Sequence, residues 1–127
     1  MNDYESSDYI PIDIRKVKDK NRVYLSDDLM KLLGHPEIIV YSKLQVDGDV
    51  KIVVNNAHSK VVGKEIDAVK VDGRQRCTIT KKVREELGID DRKNNNFVGF
   101  FLTNAKDKRV VEIINIAHLG KRVKEDV

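Results

Sequence analysis

The chain has 127 residues, 40% of them hydrophobic, which suffices for one domain with a modest core but not for a large catalytic fold with its own cofactor domain. No apolar run approaches the roughly 20 residues needed to cross a bilayer, and the start, MNDYESSD, lacks the basic-then-apolar order of a signal peptide. The net charge is +3, and the single cysteine, Cys77, allows no internal disulfide. We therefore expect a cytoplasmic protein without a membrane partner.

The chain begins with an acidic N-terminal segment, residues 1–13, which contains four acids and no base. Such a segment is either an unstructured end, a shield for a basic surface or a contact for a protein partner. Its composition does not choose between these interpretations.

A first structural unit is predicted at residues 14–54. Residues 22–25 alternate between polar and apolar side chains, which is typical of a half-buried strand. Ser26 is placed to cap a short helix whose Leu29 and Leu33 lie four positions apart. Two β-rich runs follow, IIVYSKLQ and VKIVV, and the Asp47-Gly48 pair between them predicts a tight hairpin turn.

A second unit, residues 66–116, has the same order of elements. Gln75, Cys77 and Ile79 alternate with polar residues, so Cys77 is expected to face the core as a small hydrophobe. The helix KKVREEL ends at Gly88, and the runs FVGFFLT and RVVEIINI form the second hairpin. Residues 55–65 are interpreted as the linker between the units, and residues 117–127 as a C-terminal tail of mixed charge.

The two units are related by an internal repeat. A shift of 54 positions aligns KVKDKNRVYLSDDLMKLLG, residues 16–34, with KVDGRQRCTITKKVREELG, residues 70–88. Five positions are identical, and similar residue types occupy several others in the same register. Since a unit of about 45 residues cannot easily bury a core alone, we expect the two copies to pair as a pseudo-dimeric chain.

The units also carry two basic blocks. Residues 15–31 hold six bases against three acids, and residues 70–93 hold eight bases against five. In the second helix Lys81 and Lys82 occupy the positive end of the helix dipole, whereas the first helix starts with Asp27 and Asp28. Because charges that oppose a local rule tend to mark functional sites, we expect phosphates to compensate for the two lysines.

The repeated pattern K-V-x-x-x-x-R-x-x-[LI]-[ST]-x-x-[LV]-x-x-x-L-G resembles that of the AbrB, MazE and SpoVT group of swapped-hairpin DNA-binding domains. The resemblance covers about residues 14–54 and 66–114. It implies a mainly β fold with short helices, in which two strand-helix-hairpin repeats interlace into one β-barrel. It also implies a DNA-binding transcriptional regulator with double-stranded DNA as its partner and a nucleoid-associated location in the cytoplasm.

Family members contact DNA through basic residues at the start of the strand and on the short helix. Carried over to matching positions, and with the two helix lysines added, this resemblance gives eleven candidate DNA-binding residues: Arg15, Lys16, Lys20, Arg22, Lys31, Lys70, Arg74, Arg76, Lys81, Lys82 and Arg84. Arg74, Arg76 and Arg84 are the first choices for reading bases, because arginine can hydrogen-bond guanine bidentately.

The sequence departs from the family pattern at two places. Asn21 and Gln75 stand where family members usually have glycine, and Ser26 and Thr80 where they tend to have proline. The D-x-x-x-R signature of the tandem MraZ regulators, more distant relatives, is matched by Asp72 to Arg76 in the second copy only.

Two other functions remain open at this stage. One is an antitoxin that binds its own operator and neutralises a toxin; the other is a protein-assembly module without nucleic acid. No phosphate loop, nucleophile elbow or zinc spacing occurs, so we expect no catalytic residues, no metal and no cofactor. Homo-oligomers of complete chains are compatible with each function, and an intertwined dimer is an alternative to pairing within one chain.

Overall fold

A computed structural model describes residues 9–105 and 107–119 of the chain. This part contains eight strands, two short α-helices and two single turns of 3₁₀-helix, so the prediction of a mainly β protein with short helices is confirmed. The elements are β1 Tyr9–Lys16, β2 Arg22–Tyr24, α1 Asp27–Leu32, β3 Ile38–Val46, β4 Asp49–Asn56, β5 Lys64–Lys70, β6 Arg76–Thr78, α2 Lys81–Leu87, β7 Phe97–Ala105 and β8 Lys108–Asn115, with the 3₁₀ turns at Asp19–Asn21 and Ile116–His118. No helix among these elements is long and apolar enough to cross a membrane.

Six of the strands form one antiparallel sheet in the order β1-β7-β8-β4-β3-β5, and β2 pairs with β6 in a separate two-stranded ribbon. Strands β1 and β5 lie at the two edges of the large sheet, which is therefore open. The expected closure into a barrel is not found. The three-residue strands β2 and β6 pair with each other and do not join the two edges.

The two edge strands, β1 and β5, were not anticipated from the sequence. Each pairs with the hairpin of the other repeat, so that Lys16 lies opposite Phe97 and Lys70 opposite Ile38. Both ladders contain one irregularity, at residues 11–13 in β1 and at residues 65–67 in β5. Their side chains alternate only weakly between buried and exposed, which explains why hydrophobic periodicity did not reveal them.

Element boundaries differ from the sequence interpretation at the ends of both units. Strand β1 begins at Tyr9, inside the segment interpreted as an acidic end, and residues 1–8 lie outside the described residues. Strand β4 runs to Asn56 and β5 begins at Lys64, so the connection between the repeats spans residues 57–63 rather than 55–65. Most of the C-terminal tail, residues 120–127, also lies outside the described residues.

Equivalent elements recur at two offsets. Strands β2 and β6 and the starts of α1 and α2 are 54 residues apart, whereas β3 and β7, and β4 and β8, are 59 residues apart. The difference places a five-residue insertion after the second helix, where residues 89–96 replace the shorter segment 35–37.

The strand registers follow an approximate two-fold axis. Val23 pairs with Cys77 in the ribbon, and these residues are equivalent in the two repeats. Val53 pairs with Glu112 in the large sheet, and they too are equivalent. The axis therefore passes through the centre of the ribbon and through the β4–β8 junction.

The main core lies on one face of the large sheet. Side chains from the ribbon and both helices pack there against strands β3, β4, β7 and β8, and the largest of the fully buried ones are Tyr41, Phe100, Leu25 and Leu29. Cys77, at 3% exposure, belongs to this core, which confirms its predicted orientation. Burying such side chains contributes about 1.5–3 kcal/mol each, which compensates for the short helices and strands.

The opposite face carries a smaller apolar cluster and one buried ion pair. The Nζ atom of Lys51 lies 3.1 Å from Glu112 and donates to the Tyr9 hydroxyl at 3.3 Å. In the other repeat the equivalent positions are apolar, Val110 for Lys51 and Val53 for Glu112. The two halves of the sheet are therefore not interchangeable.

Turn and cap residues behave largely as the sequence indicates. Asp47 and Gly48 have φ angles of 50° and 86°, as a two-residue hairpin turn requires, so this prediction is confirmed. Gly88 ends α2 in the left-handed region with φ 68°. Ser26 accepts a hydrogen bond from the Leu29 amide, whereas the Thr80 hydroxyl makes no such bond to α2.

An asparagine at the end of each second hairpin strand caps the preceding helix. The Asn56 amide donates to the Leu33 carbonyl at 2.8 Å, and Asn115 donates to the Leu87 and Gly88 carbonyls at 3.2 Å each. Asn115 also accepts from the Ala117 amide at 3.1 Å. These bonds satisfy carbonyls that a helix end leaves unpaired and fix each helix to its hairpin.

Replacing the buried Asn115 with alanine should lower the free energy of unfolding by about 1–3 kcal/mol, because the Leu87 and Gly88 carbonyls lose their donor. Urea denaturation measures the change. Asn95→Ala, in an exposed loop, is the matched control and should change stability by less than about 0.5 kcal/mol. Equal effects of the two substitutions would show that the cap contributes nothing.

Candidate nucleic-acid interface

The β2–β6 ribbon presents two arginines on its outer face. Val23 and Cys77 point into the core, while Arg22 lies opposite Thr78 and Arg76 opposite Tyr24. Because each arginine begins its own strand and the strands are antiparallel, the two lie toward opposite ends of the ribbon. Tyr24, at 38% exposure, adds an aromatic ring to this surface.

The loop before each ribbon strand is held by the other repeat. The Asn21 carbonyl accepts from the Ile79 amide at 2.8 Å, and the Gln75 carbonyl accepts from the Leu25 amide at 2.7 Å. These equivalent bonds bring each loop against the start of the opposite helix. The connection after each helix reaches the same place, since the Val17 amide donates to the Asn96 carbonyl at 2.9 Å.

Both loops use left-handed backbone at the residue before the ribbon arginine, where AbrB-like domains usually have glycine. Asn21 has φ 56° and Gln75 has φ 58°. This conformation costs a glutamine about 1–2 kcal/mol. The Gln75 side chain offsets part of that cost by donating to the Leu25 carbonyl at 2.9 Å and to Asp27 at 3.1 Å.

Because of these contacts between the repeats, the charged residues collect at two ends of the molecule that differ in net charge. We define the basic end as residues 16–22, 80–84 and 89–96, which hold nine bases against three acids, a net charge of +6. The mixed end is its symmetry equivalent, residues 70–76, 26–30 and 35–37, with three bases against four acids, a net charge of −1. The fold thus assembles at one end positive charge that the sequence spreads over three segments.

A groove of about 660 Å³ extends from the basic end along the ribbon as far as Arg76 of the mixed end. The five-residue insertion forms one of its walls and the ribbon another. Its lining includes the bases Lys16, Lys18, Arg22, Arg76 and Lys93, the acids Asp19 and Asp91, and the polar residues Asn21, Tyr24, Asn94 and Asn96. Within the described residues, the Nε atom of Arg22 is buried without a hydrogen-bond partner.

The eleven candidate residues from the sequence are distributed unevenly over this surface. Lys16, Arg22 and Arg76 line the groove. Four others, Lys20, Lys81, Lys82 and Arg84, belong to the basic end without lining the groove, and Lys70 and Arg74 belong to the mixed end. Arg15, in β1, and Lys31, in the last turn of α1, belong to neither end.

Three of the candidate arginines form ion pairs within the protein: Arg84, Arg15 and, with Asp72, Arg76. Arg84 is only 13% exposed; its Nε lies 2.9 Å from Asp91 and one terminal nitrogen donates to the Ile79 carbonyl at 2.7 Å. It therefore holds the inserted loop against α2 instead of extending toward a ligand. Arg15 pairs with Asp13 at 2.6 Å and lies 4.8 Å from the centre of the Tyr24 ring.

Lys18 and Lys93 line the groove but were not among the candidates. In the first copy Lys18 stands where the D-x-x-x-R signature has its acid, and a base at that position was itself a signal. Lys93 lies in the insertion, which a search at a single offset of 54 residues does not reach.

At the mixed end, the position equivalent to Lys18 is Asp72. Its carboxylate accepts from the backbone amides of Arg76 and Arg74, each at 2.9 Å, and from Arg76 Nε at 2.9 Å. These hydrogen bonds, that of the Arg76 amide first, hold the pKa of Asp72 below its ordinary range. Asp72 thus orders its loop and offsets part of the charge of Arg76.

Cys77 offers no reactive thiol. Its Sγ lies 3.3 Å from the Tyr41 hydroxyl in the core, and burial raises the pKa of the thiol to about 11. Among residues 9–105 and 107–119, no group of three or more His, Cys, Asp or Glu side chains is arranged to hold a metal ion.

No protein-family model, curated protein or solved structure matches the chain. The function is therefore inferred from the charge and geometry of the surface described above.

Replacing Asp72 with asparagine should destabilise the protein at pH 7, and the difference from the unsubstituted chain should shrink on acidification. A carboxylate whose pKa is lowered by folding stabilises above its unfolded pKa, and this contribution is lost as the pH falls through the folded value. Urea midpoints measured from pH 7 to about pH 3 test this. Asp19→Asn, in the other loop, makes the same charge change as a control; a D72N difference that persists at low pH contradicts the role.

Proposed function

We propose that the protein is a transcriptional regulator that binds duplex DNA through its basic end and the adjoining ribbon. The observation that carries this proposal is the net charge of +6, which three separate chain segments bring to one end of an arginine-bearing ribbon. Concentrated positive charge of this kind attracts the phosphate backbone, which supplies much of the affinity of DNA-binding proteins.

The strand topology supports an AbrB-like, swapped-hairpin origin for the fold. Each repeat runs strand, ribbon strand, short helix and hairpin, and its first strand completes the sheet of the other repeat. The open sheet is a departure from the closed barrel of that family. On this view the two repeats correspond to the two subunits of an AbrB-like dimer, paired here within one chain.

The ribbon is the element that we assign to base recognition. A two-stranded antiparallel ribbon fits the major groove of B-DNA, which is about 12 Å wide. Arg22 and Arg76 extend from its outer face, and arginine can donate two hydrogen bonds to the edge of guanine. Asp72 holds Arg76 by its Nε, which fixes the direction of the side chain.

The lysines around the ribbon are assigned to the phosphates. Lys16, Lys18, Lys20 and Lys93 lie at or beside the groove on flexible side chains that present point charges. Contacts of this kind position a protein on the duplex without reading its sequence.

Selection of genomic fragments by the purified chain, followed by sequencing, tests the regulatory role and identifies the site. Retention of no fragment at low salt would favour the assembly module.

Affinity for a duplex of about 30 base pairs should fall steeply with salt. If four to six phosphates are neutralised, a plot of log affinity against log salt should have a slope of about −3.6 to −5.4. Fluorescence anisotropy at about 50 to 300 mM potassium chloride measures this slope. A flat response would contradict electrostatic binding.

Exchanging the charges at the start of α2 should weaken binding. In Lys81→Ser/Lys82→Asp the basic end loses two positive charges and gains a negative one, so affinity should fall about tenfold or more at low salt. Stability should rise by at most about 1 kcal/mol, because the helix dipole favours the new residues. The matched variant Asp27→Lys/Asp28→Lys should instead lower stability slightly and keep or increase affinity. Unchanged affinity in the first variant would exclude the two lysines from the interface.

A further inference from the structure

We infer that the chain binds its specific DNA site in one fixed orientation, with its basic end always on the same flank, so that this site is asymmetric rather than palindromic. This inference rests on the proposed DNA-binding function. It concerns the form of the site, which neither the charge at the basic end nor the repeat determines alone.

The approximate two-fold symmetry of the backbone alone would predict a palindromic DNA site. Val23 with Cys77 and Val53 with Glu112 are equivalent pairs, so the ribbon and the large sheet both follow one approximate two-fold axis. A protein with two-fold symmetry presents the same residues to two half-sites, and the DNA sites of such proteins mirror that symmetry. The arginines Arg22 and Arg76 on the ribbon obey this relation.

Three separate differences between the repeats break the symmetry at the surface. Lys18 is replaced by Asp72, and Lys81 with Lys82 by Asp27 with Asp28. The third difference is the inserted segment 89–96, which contributes Lys93 to the groove.

The crossed contacts place all three differences at the same end. Lys18 belongs to the first repeat, whereas the two helix lysines and the insertion belong to the second. The Ile79–Asn21 and Val17–Asn96 backbone bonds join these segments across the repeats. On the other side, Gln75 donates to Asp27, which gathers the acidic counterparts beside the loop of Asp72. Had each repeat kept its own charges, the two ends would have been more nearly alike.

Rotating the protein by half a turn about its axis would therefore exchange unlike surfaces. The end with net charge +6 would be replaced over the phosphates by the end with net charge −1, which presents Asp27, Asp28 and Asp72. The phosphate backbone of a duplex is itself two-fold symmetric, so phosphate contacts alone do not distinguish the two orientations. A specific sequence does distinguish them, because the two ends present unlike residues to its two flanks.

Matched pairs of substitutions at equivalent positions test the inference. Lys16 corresponds to Lys70 and Lys20 to Arg74, so Lys16→Ala/Lys20→Ala and Lys70→Ala/Arg74→Ala remove the same charge from opposite ends. On a random-sequence duplex of about 30 base pairs, the first variant should lose about tenfold or more in affinity and reduce the salt slope by about 1.8. The second should lose less than about twofold. All four side chains are exposed, and thermal melts should confirm that both variants fold.

A tethered cleaving reagent reads the orientation directly. Asn95→Cys places the tether on the basic end and Glu37→Cys on the mixed end, both at exposed positions; the buried Cys77 of the unsubstituted chain gives the background. With a duplex selected from a random pool, cleavage from position 95 should be confined to one flank of an asymmetric site. Cleavage on both flanks of a palindromic site would overturn the inference.

The outcomes distinguish a failure of fixed orientation from a failure of the proposed DNA binding. If the unsubstituted chain fails to bind any duplex at low salt, both are overturned. If it binds and the two double variants lose affinity equally, DNA binding stands and fixed orientation is wrong.

Discussion

The structure depends on the exchange of first strands between the repeats. β1 pairs with β7 of the second repeat, and β5 pairs with β3 of the first, so neither hairpin has a complete sheet of its own. Backbone donors and acceptors in a buried ladder must be paired, and here each repeat supplies the partners that the other lacks. The same exchange brings side chains of the ribbon, the helices and both hairpins into one hydrophobic cluster.

The exchange also determines which surface residues become neighbours. A loop that precedes one ribbon strand rests on the helix of the opposite repeat, through bonds such as Ile79 to Asn21. Lys18 and Lys81 are 63 positions apart in sequence but belong to the same end of the molecule. Lys81 and Lys82, whose charges oppose the helix dipole, thus become part of the basic end, and the cost that the dipole imposes on them is small.

The two repeats are symmetric in the features that set the backbone path, but not in their surface charges. Equivalent registers, left-handed loops and asparagine caps recur in both repeats, because the same chain path requires them. Charged positions on the surface and the Lys51–Glu112 pair beneath the sheet do not recur. A single chain is free to differentiate its two halves in this way, whereas two identical subunits carry every substitution twice.

The sequence by itself determined the local features of the protein. Alternating residues placed Val23, Leu25, Cys77 and Ile79 inward, Asp47-Gly48 specified a hairpin turn, and the offset of 54 residues revealed the repeat, since each signal depends on neighbours in the chain. Only the tertiary structure decided the pairing of β1 and β5, the open sheet, and the assembly of the segments that carry Lys18, Lys93 and the helix lysines at one end. These features follow from hydrogen bonds between residues far apart in sequence, whose energies no local pattern encodes.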